Sequence, residues 1–341
     1  KHLGINFTIS PEVEVANKTV QLLKVPAAAD LLEFADGRVQ LIGLDVDADS
    51  PAKNIKLKKL PVSAKGEPHL IVAILRDDRI LIPGGEDEIR VRDRIFVMCR
   101  SGEYSHLFRL LGKPLVKVKN IMIMGGGRIG LNIAKQLDRS DVKLKIIEVS
   151  QERCKFLTSQ LHETVILHGD ASDVSLLQEE NISSTDVFIA ASDDEEDNML
   201  ISLLAKRLGA KKVVTVVNRS EYIPIASSIG IDSAISPRIS TAGAILRFIR
   251  KGKVLSVNTV REEEAEVMEV QALATSSIVN KPIRDVKFPK GAIIAAVVRG
   301  EETIIPGGDD VILPDDKVVI LYNSKLLKRV EKALAVKLEF F

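Results

Sequence analysis

The chain has 341 residues, more than one hydrophobic core usually serves, so about two to four domains are expected. Apolar residues make up 45% and charged residues 28%, the balance of a soluble globular protein. Its 48 basic and 47 acidic residues are interspersed, and aromatics are 4% with no Trp, which excludes a broad basic face or a base-stacking platform and so argues against a nucleic-acid partner.

In chain order, the first signal is a repeat. Residues 3–11, LGINFTISP, match residues 229–237, IGIDSAISP, and Ile82-Pro83-Gly84-Gly85 matches Ile305-Pro306-Gly307-Gly308 at nearly the same displacement. Residues 1 to 117 therefore correspond to 227 to 341. The counterpart of 118–228 is absent ahead of Lys1, and neither an initiator Met nor a signal peptide opens the chain, so about 110 further residues forming another Rossmann half are expected upstream. The organisation expected is 1–33 as the end of a first nucleotide lobe, 34–117 as a β-rich lobe, 118–250 as a complete Rossmann lobe and 251–341 as a second β-rich lobe.

In the β-rich lobes, runs at 70–75, 94–98, 293–298 and 317–321 read as strands, and the Pro-Gly-Gly segments between them as tight connections where Gly supplies unusual backbone angles. No helix pattern follows Pro-Gly-Gly, which argues against a phosphate cradle there. Cys99 and Cys154 sit in apolar patterns as buried thiols suited to a reducing compartment. The longest apolar run, 292–298, falls far short of the roughly 20 residues a membrane span needs, so any membrane role is peripheral.

From Asn120 the pattern becomes strand and helix in alternation, with strands at 121–124, 144–148, 165–167, 187–190 and 213–217: an α/β, doubly wound parallel sheet. Its first turn, Gly125-Gly126-Gly127-Arg128-Ile129-Gly130, is a G-x-G-x-x-G opening a helix over 131–137. Gly125 permits the turn, Gly127 lets backbone approach a pyrophosphate, and Gly130 lets helix pack on strand. Glu148 ends the next strand, where a carboxylate accepts from ribose hydroxyls and repels a 2′-phosphate, which favours NAD or NADH, or ATP and ADP, over the phosphorylated dinucleotide. Arg128 adds a charge for phosphate. Gly169, Asp170, Ala191, Ser192 and Asn218 lie in loops at the carboxyl ends of later strands, where ligands bind in such sheets. The acidic run from Asp193 to Asp197 reads as the start of a helix over 198–208, and Glu262-Glu263-Glu264 as a solvated turn.

An enzyme is not expected. His2, His69, His106 and His162 lie outside the candidate loops, and no relay surrounds His168. Tyr104, Tyr222 and Tyr322 are followed four residues on by Phe108, Ala226 and Leu326, so no Tyr–Lys dehydrogenase pair occurs, nor does a Walker or metalloprotease motif.

The glycine turn, Glu148, His168-Gly169-Asp170, Ala190-Ala191-Ser192-Asp193 and the twice-used Ile-Pro-Gly-Gly together resemble the TrkA regulators of bacterial potassium uptake, built from RCK (KTN) Rossmann lobes and RCK_C lobes. The resemblance covers the chain. It implies a cytoplasmic regulatory subunit, peripheral on the inner face of the membrane, docked on a TrkH/TrkG-like potassium transporter as a ring of RCK lobes, dimer or tetramer, with nucleotide occupancy biasing transport. It also implies Gly125 to Ile129 on phosphate, Glu148 on ribose, and Asp170, Ala191, Ser192 and Asn218 toward the base or second ribose. Residues 240–249, with Ala244, Ile245, Phe248 and Ile249 on one face, are expected to form a crossover helix that transmits the change. The alternatives are a soluble NAD-binding redox sensor or transcriptional regulator, for which no helix-turn-helix is seen, and an NAD-dependent dehydrogenase.

Overall fold

The computed structural model describes residues 8–60, 63–64, 67–77, 79–249, 254–261 and 264–334. The start of the repeat (3–7), His2, Glu262 and Glu263 lie outside the described residues, as do the side chains of Phe248 and Ile249. The chain divides into two units: residues 1–26 with 116–245, and residues 27–115 with 246–341.

The first unit is the Rossmann fold. Helix α1 (Pro11–Lys24) precedes β1 (Asn120–Met124), α2 (Arg128–Leu137), β2 (Lys143–Glu148), α3 (Gln151–Gln160), β3 (Val165–His168), α4 (Val174–Glu179), β4 (Val187–Ala190), α5 (Glu195–Arg207), β5 (Lys212–Val216), α6 (Tyr222–Ser228), β6 (Ser233–Ile235) and α7 (Pro237–Ile249). The sheet order is β6-β5-β4-β1-β2-β3, and every described pairing is parallel. Strands β4 and β5 are buried along their whole length, as strands covered on both faces must be, and their unbroken apolar runs follow from that. Order reverses between β1 and β4, which opens a crevice at their carboxyl ends.

Helix starts are chemically marked. Ser150, Asp173 and Asp194 cap α3, α4 and α5 through side-chain oxygens that accept from backbone N–H groups. Helix α5 begins at Glu195 rather than 198, taking Glu195, Glu196 and Asp197 into its first turn, where carboxylates suit the dipole. Helix α2 likewise begins earlier than expected, at Arg128, so half of the glycine motif is helical. Helix α1 buries Val15, Ala16, Leu22 and Leu23 and packs on α2.

The second unit holds two antiparallel sheets. One runs Asp30–Phe34, Val39–Asp45, Arg94–Arg100, Glu67–Arg76, Ser63–Ala64, with Arg79–Leu81 on the edge of Glu67–Arg76; the other runs Val254–Arg261, Ala265–Gln271, Lys317–Asn323, Ala292–Arg299, Glu302–Ile304. The repeat extends to individual bonds. Both copies carry a register shift at the same place, between Ile71 and Ala73 and between Ile294 and Ala296. Both carry a bidentate ion pair, Arg76 on buried Asp93 and Arg299 on buried Asp316.

The Pro-Gly-Gly segments correct one expectation. None of Gly84, Gly85, Gly307 and Gly308 occupies the left-handed region. Small size is used instead for close approach: a Cβ on Gly85 would lie 3.3 Å from Lys58 Cβ and one on Gly308 3.4 Å from Arg284 Cβ, while Gly84 N and Gly307 N donate to Asp87 and Asp310. Cys99 and Cys154 are free and buried, and burial pushes the Cys99 thiol up to about 12. Among the described residues no helix is long and apolar enough to cross a membrane, and no cluster of three His, Cys, Asp or Glu is placed to hold a metal.

Candidate nucleotide site

The turn between β1 and α2 is held from three sides. Gly125 lies at φ +97°, open to glycine, and its α-carbon abuts the β4 loop so closely that a Cβ would sit 2.9 Å from the Ala191 carbonyl and from Ser192 N. Gly126 donates its N–H to Glu148 Oε2 at 2.8 Å, and its carbonyl accepts from Arg153 Nε at 2.7 Å. A Cβ on Gly126 would strike Leu157, and one on Gly130 would strike the Gly125 carbonyl.

Gly127 differs from all three: a Cβ there would meet nothing within 4 Å. As N-cap of α2 it has no side chain to accept from the helix, whereas α3, α4 and α5 each have one. The start of α2 therefore borders open space at the positive end of a helix dipole, which is chemistry suited to an anion such as phosphate.

Glu148 is half-buried and fixed rather than merely solvated, with Oε2 on Gly126 N and Oε1 accepting from Ser150 N at 2.8 Å. Its strand also anchors the next loop, since Gly169 N donates to Glu148 O and His168 Nε2 to Val149 O. Asp170 is exposed and turns onto its own loop: bonds from the Ser172 N–H and hydroxyl hold its carboxyl below the usual range. Arg128 points outward and pairs with Glu12 of α1 at 3.0 Å. Ile129 is half-buried beside it.

On the other wall, Ser192 is clamped by Asn198, whose Oδ1 accepts from Ser192 N and Oγ and whose Nδ2 donates to Ser192 O and Val216 O. Glu195, 5% exposed, accepts from Asn218 N, Arg219 N and Arg219 Nε. Side-chain bonds thus brace the ends of β1 and β2 through Glu148 and the ends of β4 and β5 through Asn198 and Glu195.

The TrkA-N domain model matches residues 121–237, and the TrkA-C domain model matches residues 41–112 and 267–335. The chain is 37% identical over 331 residues to "Trk system potassium uptake protein TrkA homolog 1" of Methanosarcina mazei, spanning 97% of this chain and 73% of that one. It is 33% identical over 342 residues to the TrkA of Azorhizobium caulinodans, spanning 100% of this chain and 75% of that one. The chain belongs to the TrkA family. The fold is shared with the GsuK RCK domain, at TM-score 0.53 and 17% identity over 97% of this chain and 71% of that one. It is shared also with the structure titled "GsuK channel bound to NAD", at TM-score 0.50 and 18% identity over 96% of this chain and 58% of that one.

In this TrkA chain three residues that build the site escape a motif-led reading: Arg153, Asn198 and Glu195. Glu195, Asn198, Ser202 and Ala205 are all buried at spacings of three and four, so the helical period itself placed Glu195 and Asn198 inward. For Arg153, five residues beyond Glu148, no sequence signal distinguishes a loop-bracing cation from an exposed one.

Proposed function

We propose that this TrkA protein is the nucleotide-sensing regulatory subunit of a potassium uptake system. It takes NAD or NADH, or ADP and ATP, in the crevice of its Rossmann unit and acts from the cytoplasmic face on a TrkH/TrkG-like membrane transporter as an assembly of RCK lobes, without catalysing a reaction. The observation that carries the nucleotide reading is Gly127: its three neighbouring glycines are accounted for by packing, and it alone is left open at an uncapped helix start. The relatives' names supply potassium uptake, and the NAD-bound GsuK channel supplies a ligand of the right class.

In this reading the amides at Gly127, Arg128, Ile129 and Gly130 receive the phosphates, over a floor made by Gly125 and Gly126. Glu148, oriented by Gly126 and Ser150, accepts from the ribose and disfavours a 2′-phosphate. Gly169, Asp170, Ala191, Ser192 and Asn218 form the rim. Binding regulates only if the ligand prefers one of two conformations.

The test is calorimetric titration of the protein with NAD, NADH, ADP, ATP and NADPH, repeated with Gly127→Ala. The added methyl has room in the fold but enters the phosphate's place, so affinity is expected to fall about ten- to a hundredfold, the loss of one or two hydrogen bonds to a charged group, with the melting temperature unchanged. NADPH should bind more weakly than NADH. Equal affinity of wild type and variant would defeat the assignment of the turn to phosphate.

A further inference from the structure

Arg128 stands at the first position of α2, and its guanidinium is already engaged by a residue from outside the β1–β6 run. Glu12, in the first turn of α1, brings Oε1 to 3.0 Å from Arg128 Nη2, while its Oε2 accepts from Ser10 Oγ at 2.6 Å. The partners are unequal: the Glu12 side chain is 19% exposed and that of Arg128 83%. The carboxylate is the fixed member and the guanidinium the free one, able to swing about its long stem. The Ser10 hydroxyl first, then Glu12's own N–H and the Arg128 charge, hold the Glu12 carboxyl below its usual range, so it is an anion at neutral pH.

Helix α1 is also the lead from this unit to the next. It corresponds in the repeat to α7, each opening on Pro after Ile-Ser, and residues 25–29 run directly from it into the strand Asp30–Phe34. Its seat on the Rossmann unit includes Gln136 of α2 donating to Asn17 Oδ1 and Lys212 of β5 donating to the Pro26 carbonyl. Its first turn is fastened to the glycine motif by the Glu12–Arg128 pair.

A pyrophosphate at the start of α2 would offer Arg128 a more strongly charged, bidentate acceptor than a single carboxylate oxygen. We propose that Glu12 competes with the ligand's phosphate for Arg128, so that nucleotide occupancy releases the first turn of α1 from the glycine motif. The proposal rests on the nucleotide reading above. Linkage makes it reciprocal: the factor by which the seated pair weakens binding is the factor by which binding weakens the pair.

The experiment is titration of the full chain with NAD and with ADP at low ionic strength, using wild type, Glu12→Gln, Arg128→Gln and the double variant. Glu12→Gln should tighten binding two- to fivefold, the range a solvent-facing ion pair spans at most. Arg128→Gln should loosen it about tenfold, and the double variant should match Arg128→Gln, since the competition requires both partners. Hydrogen exchange at residues 11–14 should rise on adding NAD to wild type and not to Glu12→Gln. Unchanged or weaker binding by Glu12→Gln would overturn the proposal, the weaker result making Glu12 a residue that positions Arg128 for the ligand. Tightening that persists with Arg128→Gln would reduce the effect to general charge and overturn it too. Failure of wild type to bind either nucleotide would overturn the nucleotide reading itself, a result distinct from binding that ignores Glu12.

Discussion

Glu195 lies within a run of five acidic residues, yet of the five it alone is turned to the interior. Burial alone would raise its pKa, but N–H bonds from Arg219 and Asn218 and the Arg219 guanidinium outweigh that and hold the carboxyl below its usual range. The native state therefore prefers the anion. Its contribution is complete above the unfolded Glu pKa of about 4.3 and is lost as pH falls through the lower native value. Glu195→Gln should cost about 1–3 kcal/mol at neutral pH, the price of stranding donors that a neutral amide serves poorly. Denaturant titrations of wild type and variant should show that gap closing below about pH 4. A gap that holds at acid pH would mean the loss is steric rather than ionic.

Helix α2 meets β1 at Gly130, whose missing side chain lets the helix lie against the Gly125 carbonyl. Backbone cannot yield as a side-chain tip does, so Gly130→Ala should destabilise by about 1–3 kcal/mol, unlike Gly127→Ala one turn earlier. Thermal melts of the two variants side by side check this, and equal melting temperatures would refute the division of labour among the glycines. The period-2 and period-3.6 patterns were enough to read the alternation of strand and helix, because strands such as β4 and β5 bury both faces and announce themselves as apolar runs. Helix starts were less legible. Arg128-Ile129-Gly130 reads as loop when the motif is taken as a unit, although its helical half supplies the free N–H groups. The pairing of Arg128 with Glu12 was not readable at all, since it joins positions more than a hundred residues apart and depends on where α1 packs.

Matched segments revealed the duplication, down to Ile-Pro-Gly-Gly, but not what the two copies do with their apolar faces. In the unit of residues 27–115 and 246–341 the copies share one core: Phe34, Leu41, Phe96 and Met98 from the first pack with Val267, Ala296, Val319 and Leu321 from the second. Alternation in each strand shows that two faces are apolar, while the identity of the layer covering each is set by tertiary contact. A buried polar bond joins the copies beside that core. Glu269, 6% exposed, accepts from Ala35 N at 2.9 Å, and Ala35 is held at φ +50°, a left-handed conformation that a side chain opposes. The second copy thus stabilises a strained turn in the first. Glu269→Ala strands the buried amide and should cost about 1–3 kcal/mol, while Glu269→Gln, which keeps an acceptor oxygen, should cost less. Because the core is common, hydrogen exchange should quicken in the hairpin of residues 30–45 as well as in the strand Ala265–Gln271 that carries the substitution. Quickening confined to 265–271 would show two lobes that merely touch, and would remove the shared core as a route by which one copy feels a change in the other.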